Sequence, residues 1–319
     1  MLPNPSKNSD LFLARTALTG KPLAAKHSHS SRCVGAISSG MEPNRGPGYD
    51  FGGAVFDLND PTDREIVRFV LSQALFGEAT GVYCGRSLYA ARSLEAAEFY
   101  VRQARQELAH LRLFAEIFRV LDMSPLPAHF LMRLLSAHND YYPLKVFLEH
   151  AVGEGMVLDV FKDLLLATLP DDDPRVPSIK KKLRVVCSDE AEHVAWGEKE
   201  TVRILAEQPW LRTPFYGLLE LQLAVLPLLV RALRSRAEGH PVLSHLDGFV
   251  AHVQHNAMEQ GRRLGFVPEK PAKGARHAVA IGAGLAVYLR SRLAKSRSTL
   301  DKTYLAELGF PNPEDTVSA

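Results

Sequence analysis

The chain has 319 residues, 46% hydrophobic and 23% charged, which suits at least one large core and argues against wholesale disorder. Its 38 basic and 36 acidic side chains leave a formal charge of +2, so no global field draws in nucleic acid or presses the chain onto anionic lipid. Cys33, Cys84 and Cys187 lie far apart with no C-x-x-C pair, which argues against a disulfide framework, a zinc ribbon or a redox dithiol and fits a reducing, cytoplasmic setting.

Residues 1–50 hold seven Ser, five Pro and five Gly without a sustained period, so residues 1–60 are expected to be disordered or weakly ordered. With one acidic residue in its first forty, the segment also has the character of a weak organellar transit sequence, with Met41 as an alternative start. From Pro61 the pattern changes. Thr62–Asp122 has no proline and repeats apolar residues at steps of three and four, which predicts two amphipathic helices over about 62–90 and 94–122. Pro125 and Pro127 end the pair, and a short helix over 129–136 can follow. A third long helix is expected over about 143–168, closed by Pro170 and Asp171–Asp173, and a fourth from Pro174 or Pro177 to about 206. Three more follow at about 214–237, 242–264 and 275–295. No strand pattern occurs. The fold class is therefore all-α: residues 61–207 form a four-helix bundle, 208–297 add helices packing on it, and 298–319 are a tail. The longest apolar stretches, Leu218–Val230 and Ala278–Leu289, fall short of the ~20 residues a membrane span needs.

Two of the four long helices carry the same motif, Glu107-x-x-His110 and Glu190-x-x-His193. One E-x-x-H arises easily by chance, so placement decides. Glu107 continues the apolar seam Tyr100, Ala104, Leu111, Phe114, and Glu190 the seam Leu183, Val186, Val194, Gly197, so both carboxylates point at the core. Each of the other helices supplies one more: Glu78 lies among Leu71, Ala74 and Gly81, and Glu154 among Ala151, Leu158 and Phe161. Glu149 is the competitor to Glu154, but its seam is poorer. Buried carboxylates need partners, protons or a metal. The order Gly77-Glu78-Ala79 then E-x-x-H repeats as Gly153-Glu154-Gly155 then E-x-x-H, a pseudo-twofold that suits two metals.

One Glu from each of two helices plus a Glu-x-x-His from each of two others is the ligand set of the ferritin-like di-iron and di-manganese carboxylate proteins. The chain resembles that superfamily over about residues 62–206. The resemblance implies a ferritin-like bundle holding two Fe ions, or a Mn/Fe pair, on Glu78, Glu107, His110, Glu154, Glu190 and His193. Glu107 and Glu190 would be the bridging, catalytic carboxylates. It further implies a non-haem di-iron oxidase or oxygenase that uses O2 and an external electron donor to oxidise a small apolar organic substrate. Asp189, in a D-E-x-x-H form, would hydrogen-bond the outer nitrogen of His110; the matching position on the second helix is Gln106, which leaves the partner of His193 open. His150, one turn before Glu154, is either packed core or a group supporting the site. The leucine-rich helices 214–264 suit an apolar substrate or a homodimer face, and nothing points to nucleic acid. Two rival readings stand beside this one: a ferroxidase or peroxide scavenger of the same superfamily, and a metal-free helical interaction protein.

Overall fold

The computed structural model describes residues 47–83, 87–88, 91–135, 141–234, 239–270, 272–293 and 309, and among these it contains helices and no strand. Helix α1 spans Pro61–Gly81. Its start is set by Asp60, whose side chain accepts from the N–H groups of Thr62 and Asp63, and by proline in the first turn. The helix stops nine residues short of the expected 90, and Cys84 and Gly85 lie outside the described residues. Helix α2, Leu94–Val120, is capped by Ser93 and ends with Arg119 in its last turn. The α1 start is tied to the α2 end: Arg64 donates to the carbonyl of Leu121 at 2.9 Å and Arg68 to that of Ser124 at 2.6 Å. A short helix α3, Phe130–Leu135, follows.

The third rod, α4, runs from Tyr142 to Thr168. It is not a uniform α-helix. Two stretches, Val146–Gly153 and Val160–Leu165, widen to π-helical turns, in which Glu154 N–H reaches the carbonyl of Glu149 and Leu166 N–H that of Phe161. Such turns recur at functional sites, and apolar periodicity gave no sign of them. Helix α5, Val176–Glu207, lies against α4 and α2. Helix α6 covers Arg212–Arg234, a single turn Pro241–Ser244 precedes α7 at Leu246–Arg263, and α8 spans Ala275–Leu293.

Residues 47–60 differ from expectation. Phe51, Phe56 and Leu58 are buried, Phe56 N–H donates to the carbonyl of Thr168 at 2.9 Å, and Tyr49 donates to the carbonyl of His245 at 3.2 Å. This stretch is a strap over α4 and α7, held by a few aromatics that a periodicity test cannot register. Residues 1–46 lie outside the described residues, as does the expected tail apart from Gly309.

Two apolar clusters fill the interior. One joins Val67, Leu71, Phe114, Phe118, Leu158 and Leu183. The other joins Phe99, Tyr100, Phe147, Ile204, Phe215 and Phe266. Along α2, α4 and α5 the first cluster ends and the second begins on either side of the buried Glu and His positions, so the polar residues form a layer between two apolar ones. No described helix is long and apolar enough to cross a membrane.

Helices α6 and α8 approach closely through glycine. A Cβ on Gly217 would stand 1.9 Å from the carbonyl oxygen of Ala280, and one on Gly284 would stand 2.8 Å from that of Pro214. Gly217→Val is expected to push α8 off α6 and lower stability by about 1–3 kcal/mol, the usual cost of overpacking. Because neither helix bears a predicted ligand, metal content should hold. Thermal melting, limited proteolysis within 275–293 and metal analysis check this together.

Candidate metal centre

All six predicted ligands are buried: Glu78, Glu107, Glu154 and Glu190 expose 8% or less, and His110 and His193 expose nothing. The fold gathers them into two adjoining groups. Glu78, Glu107, His110 and Glu190 form one, and Glu107, Glu154 and His193 form the other, with donor atoms within 4.8 Å inside each group. Either group could hold a metal ion.

The orientation of the imidazoles is the informative part. Both turn Nδ1 inward. His110 Nδ1 lies 2.8 Å from Glu78 Oε2, 3.9 Å from Glu107 Oε2 and 3.5 Å from Glu190 Oε1. His193 Nδ1 lies 3.8 Å from Glu107 Oε1, 3.7 Å from Glu154 Oε1 and 3.7 Å from Glu190 Oε2. Glu107 and Glu190 thus present one oxygen to each histidine, whereas Glu78 faces only His110 and Glu154 only His193. Both outer Nε2 atoms are tied: His110 to Asp189 Oδ2 at 3.0 Å, and His193 to Gln106 Oε1 at 3.0 Å. The second contact supplies the partner for His193 that the sequence left open.

Close backbone approach makes this layer possible. A Cβ on Gly81 would meet the Glu107 carboxylate at 2.6 Å, and one on Gly197 would meet His150 Cβ at 2.5 Å. Any larger residue at 81 would displace Glu107. Gly77, by contrast, faces open space.

Electrostatics without a cation are unfavourable. Burial, reinforced by the charges of Glu78 and Glu190, pushes Glu107 well above the usual carboxylate range, and burial with Glu78 and Glu154 does the same to Glu190. Glu154 is raised by burial to about 7. Burial opposes charge on His110, but Glu78 and Asp189 outweigh it and raise its pKa to about 10, while burial lowers His193. His193 Nδ1 and Glu154 Oε2 are buried with no hydrogen-bond partner. An orphaned imidazole nitrogen with three carboxylate oxygens 3.7–3.8 Å away is a donor set that a cation would satisfy, and oxygen-rich donors with two imidazoles suit Fe or Mn over thiolate-seeking metals. The residues therefore fit a metal.

Around this centre the structure adds groups that sequence reasoning missed. Gln103, fully buried, donates to Glu154 Oε1 at 2.8 Å and Glu107 Oε1 at 3.2 Å. Helical spacing alone could have found it, since it precedes Glu107 by one turn on the same face. His150 Nδ1 lies 3.0 Å from Glu154 Oε1, and burial lowers the pKa of the ring. Glu149 groups with His150 and Glu154 but is half-exposed, pairs with Lys145 and joins neither the His110 nor the His193 group. Cys187 is buried, burial raises its thiol to about 12, and it joins none of the groups that could hold a metal among the described residues. Asp189 and Gln106 also line a surface groove of about 710 Å³ with Arg102 and Arg105.

Inside, a cavity of about 310 Å³ opens on Glu78, Glu107, Glu154 and Glu190 and is walled by apolar residues of α1, α4, α6 and α7. Its size is that of a small-molecule site. Comparison of the sequence with known protein families finds no match, and comparison with curated proteins finds none either.

His110→Ala and His193→Ala should each lower metal occupancy sharply, while Glu149→Ala should leave it near wild type. Asp189→Asn should keep the fold and weaken metal affinity by about 10–100-fold, the usual effect of losing a ligand's orienting partner. Full occupancy in both histidine variants would remove the assignment. Raised carboxylates carry protons that a cation must displace, so affinity should fall as pH drops below about 7, where Glu154 becomes protonated. Calorimetry in buffers of different ionisation enthalpy would report those protons.

Proposed function

We propose that the chain is a ferritin-like four-helix-bundle oxidase or oxygenase, in which two iron ions on Glu78, Glu107, His110, Glu154, Glu190 and His193 use O2 to oxidise an apolar organic substrate. The observation that carries this reading is the placement of Glu107 and Glu190, each with one oxygen toward each histidine. In this reading Glu107 and Glu190 would serve both ions, and Glu78 and Glu154, each facing one of these two histidines, would serve one ion apiece. Two neutral imidazoles and four carboxylates carry −4, which two divalent ions balance. When bound, the ion pair supplies the electrons and the Lewis acidity for O2 reduction.

The chain's own residues do the rest. Asp189 and Gln106 fix the histidine rings through Nε2 so that Nδ1 stays free for metal. Gln103 holds the inner oxygens of Glu107 and Glu154 in place through its amide. The apolar walls exclude water from the face of the cluster and leave room there for a substrate. The groove over Asp189 and Gln106 brings the outer ends of both histidines within reach of the surface, the natural approach for an external electron donor. A metal-storage role would call for a hydrophilic route and a mineral cavity; the apolar lining favours an organic substrate.

Anaerobic Fe(II) loading followed by O2 tests the reading. Expected are about two irons per chain, as six ligands on four helices provide. O2 uptake should rise on adding an apolar substrate, with a matching change in product mass. Uptake that ignores every organic compound while iron is oxidised would move the function to ferroxidase, and failure to bind iron would remove it.

A further inference from the structure

The cavity over the carboxylates is elongated and chemically one-sided. Along α4 its wall runs from Leu144 and Lys145 to Phe161 and Leu164, and along α1 from Gly81 back to Phe69. Glu78 and Glu154 fall between those limits on their helices. A ligand filling the cavity therefore passes the carboxylates instead of ending at them. Val230, Leu246 and Phe249 of α6 and α7 also line it and pack in one cluster with Phe161 and Leu164, the α4 residues beyond Glu154.

Among the described residues lining the cavity, Lys145 is the one cationic side chain. Its side chain is 1% exposed and pairs with Glu149, whose own is 28% exposed. The ammonium is therefore the deeper member of the pair and Glu149 the one nearer water. Burying an ammonium beside an apolar space is costly, and packing alone does not require it. A second polar group stands at the same end. Gln222 of α6 lines the cavity at 9% exposure, and its Oε1 has no hydrogen-bond partner. Its helix neighbours Leu219 and Leu223 pack in one cluster with Leu144 and Phe147, which flank Lys145. An amide can turn end for end and donate as well as accept.

We propose that the cavity binds an unbranched aliphatic carboxylate, its head group on Lys145 beside Gln222 and its chain running past Glu78 and Glu154 toward Phe249. The incoming carboxylate takes the place of Glu149 on the ammonium, and Glu149 turns to the solvent it already touches. Lys145 and Glu154 stand nine residues apart on α4, about 13 Å along the axis at ~1.5 Å per residue, a distance that about ten chain carbons span. A chain of that length or longer brings its carbons alongside the buried carboxylates. This inference rests on the dimetal oxidase reading for the fate of the ligand, but not for its binding.

Calorimetric titration of the full-length protein with decanoate, decan-1-ol and decylamine tests it, with metal content measured on the same samples so that the dimetal reading stands or falls separately. Decanoate should bind about tenfold or more tightly than the other two, the margin of a charge-assisted hydrogen bond. Lys145→Met should erase that margin while leaving decanol affinity and metal content near wild type; Lys145→Arg should keep most of it. Gln222→Leu, which does not depend on replacing the buried lysine, should weaken decanoate alone. Equal affinities in the wild type, a preference for the amine, or an undiminished decanoate preference in both Lys145→Met and Gln222→Leu would overturn the proposal.

Discussion

Four carboxylates share one dry layer of this protein, and most of its other features follow from their mutual repulsion. Burial takes each out of water, and the pKa directions of Glu107, Glu154 and Glu190 all point to protonation when no cation is present. A chain keeps such an arrangement against an apolar alternative of similar volume only if something compensates it. The orphaned His193 Nδ1 is the clearest sign of what does. A cation held here would couple its binding to the stability of the layer, because the buried carboxylates come from α1, α2, α4 and α5 and, apart from His110, only protons would otherwise offset their charge.

Holding that layer level imposes demands on the backbone. Gly81 lets α1 come close enough to α2 for Glu107 to lie beneath it, and Gly197 does the same for α5 against α4 at His150. Both glycines forgo about 1 kcal/mol of helix propensity relative to alanine. The π turns of α4 belong to the same set of adjustments. One wide stretch precedes Glu154 and the other follows it, and the first, Val146–Gly153, changes the angle of Lys145 relative to Glu154 around the helix. The two apolar clusters on either side of the layer carry the hydrophobic stabilisation that the layer itself cannot supply.

How much of this was legible in the sequence depended on the signal each feature leaves. The long helices α2, α4 and α5 came within one or two residues of their bounds because proline and capping residues punctuate a clear 3.6 period. The end of α1 did not, since the apolar pattern continues past the point where the helix stops. The six inward positions were readable because a charged residue in an apolar seam is a contradiction that needs a cause. Asp189 was readable from its angle beside Glu190. Gln103 was marked only by its helical spacing, one turn before Glu107, since a neutral amide raises no contradiction, and Lys145 was not marked at all: a lysine beside an acid one turn later passes for a surface ion pair. The strap at 47–60 escaped for the opposite reason, since single aromatics at irregular spacing anchor it.

The internal repeat also conceals a difference. In sequence the two halves match, Glu then E-x-x-H, twice. In space His110 leans on a carboxylate and His193 on an amide. An acid partner makes an imidazole a stronger donor than an amide does, and it adds a negative charge on one side alone. Gln103 widens the gap by donating to Glu154 and Glu107, with no equivalent contact at Glu78 among the described hydrogen bonds. The His110 side is thus the more electron-rich and the His193 side the better hydrogen-bonded. Unlike supports would give the two donor groups unlike affinities for a cation, and the side adjoining Glu154 is also the one nearer Lys145 along α4.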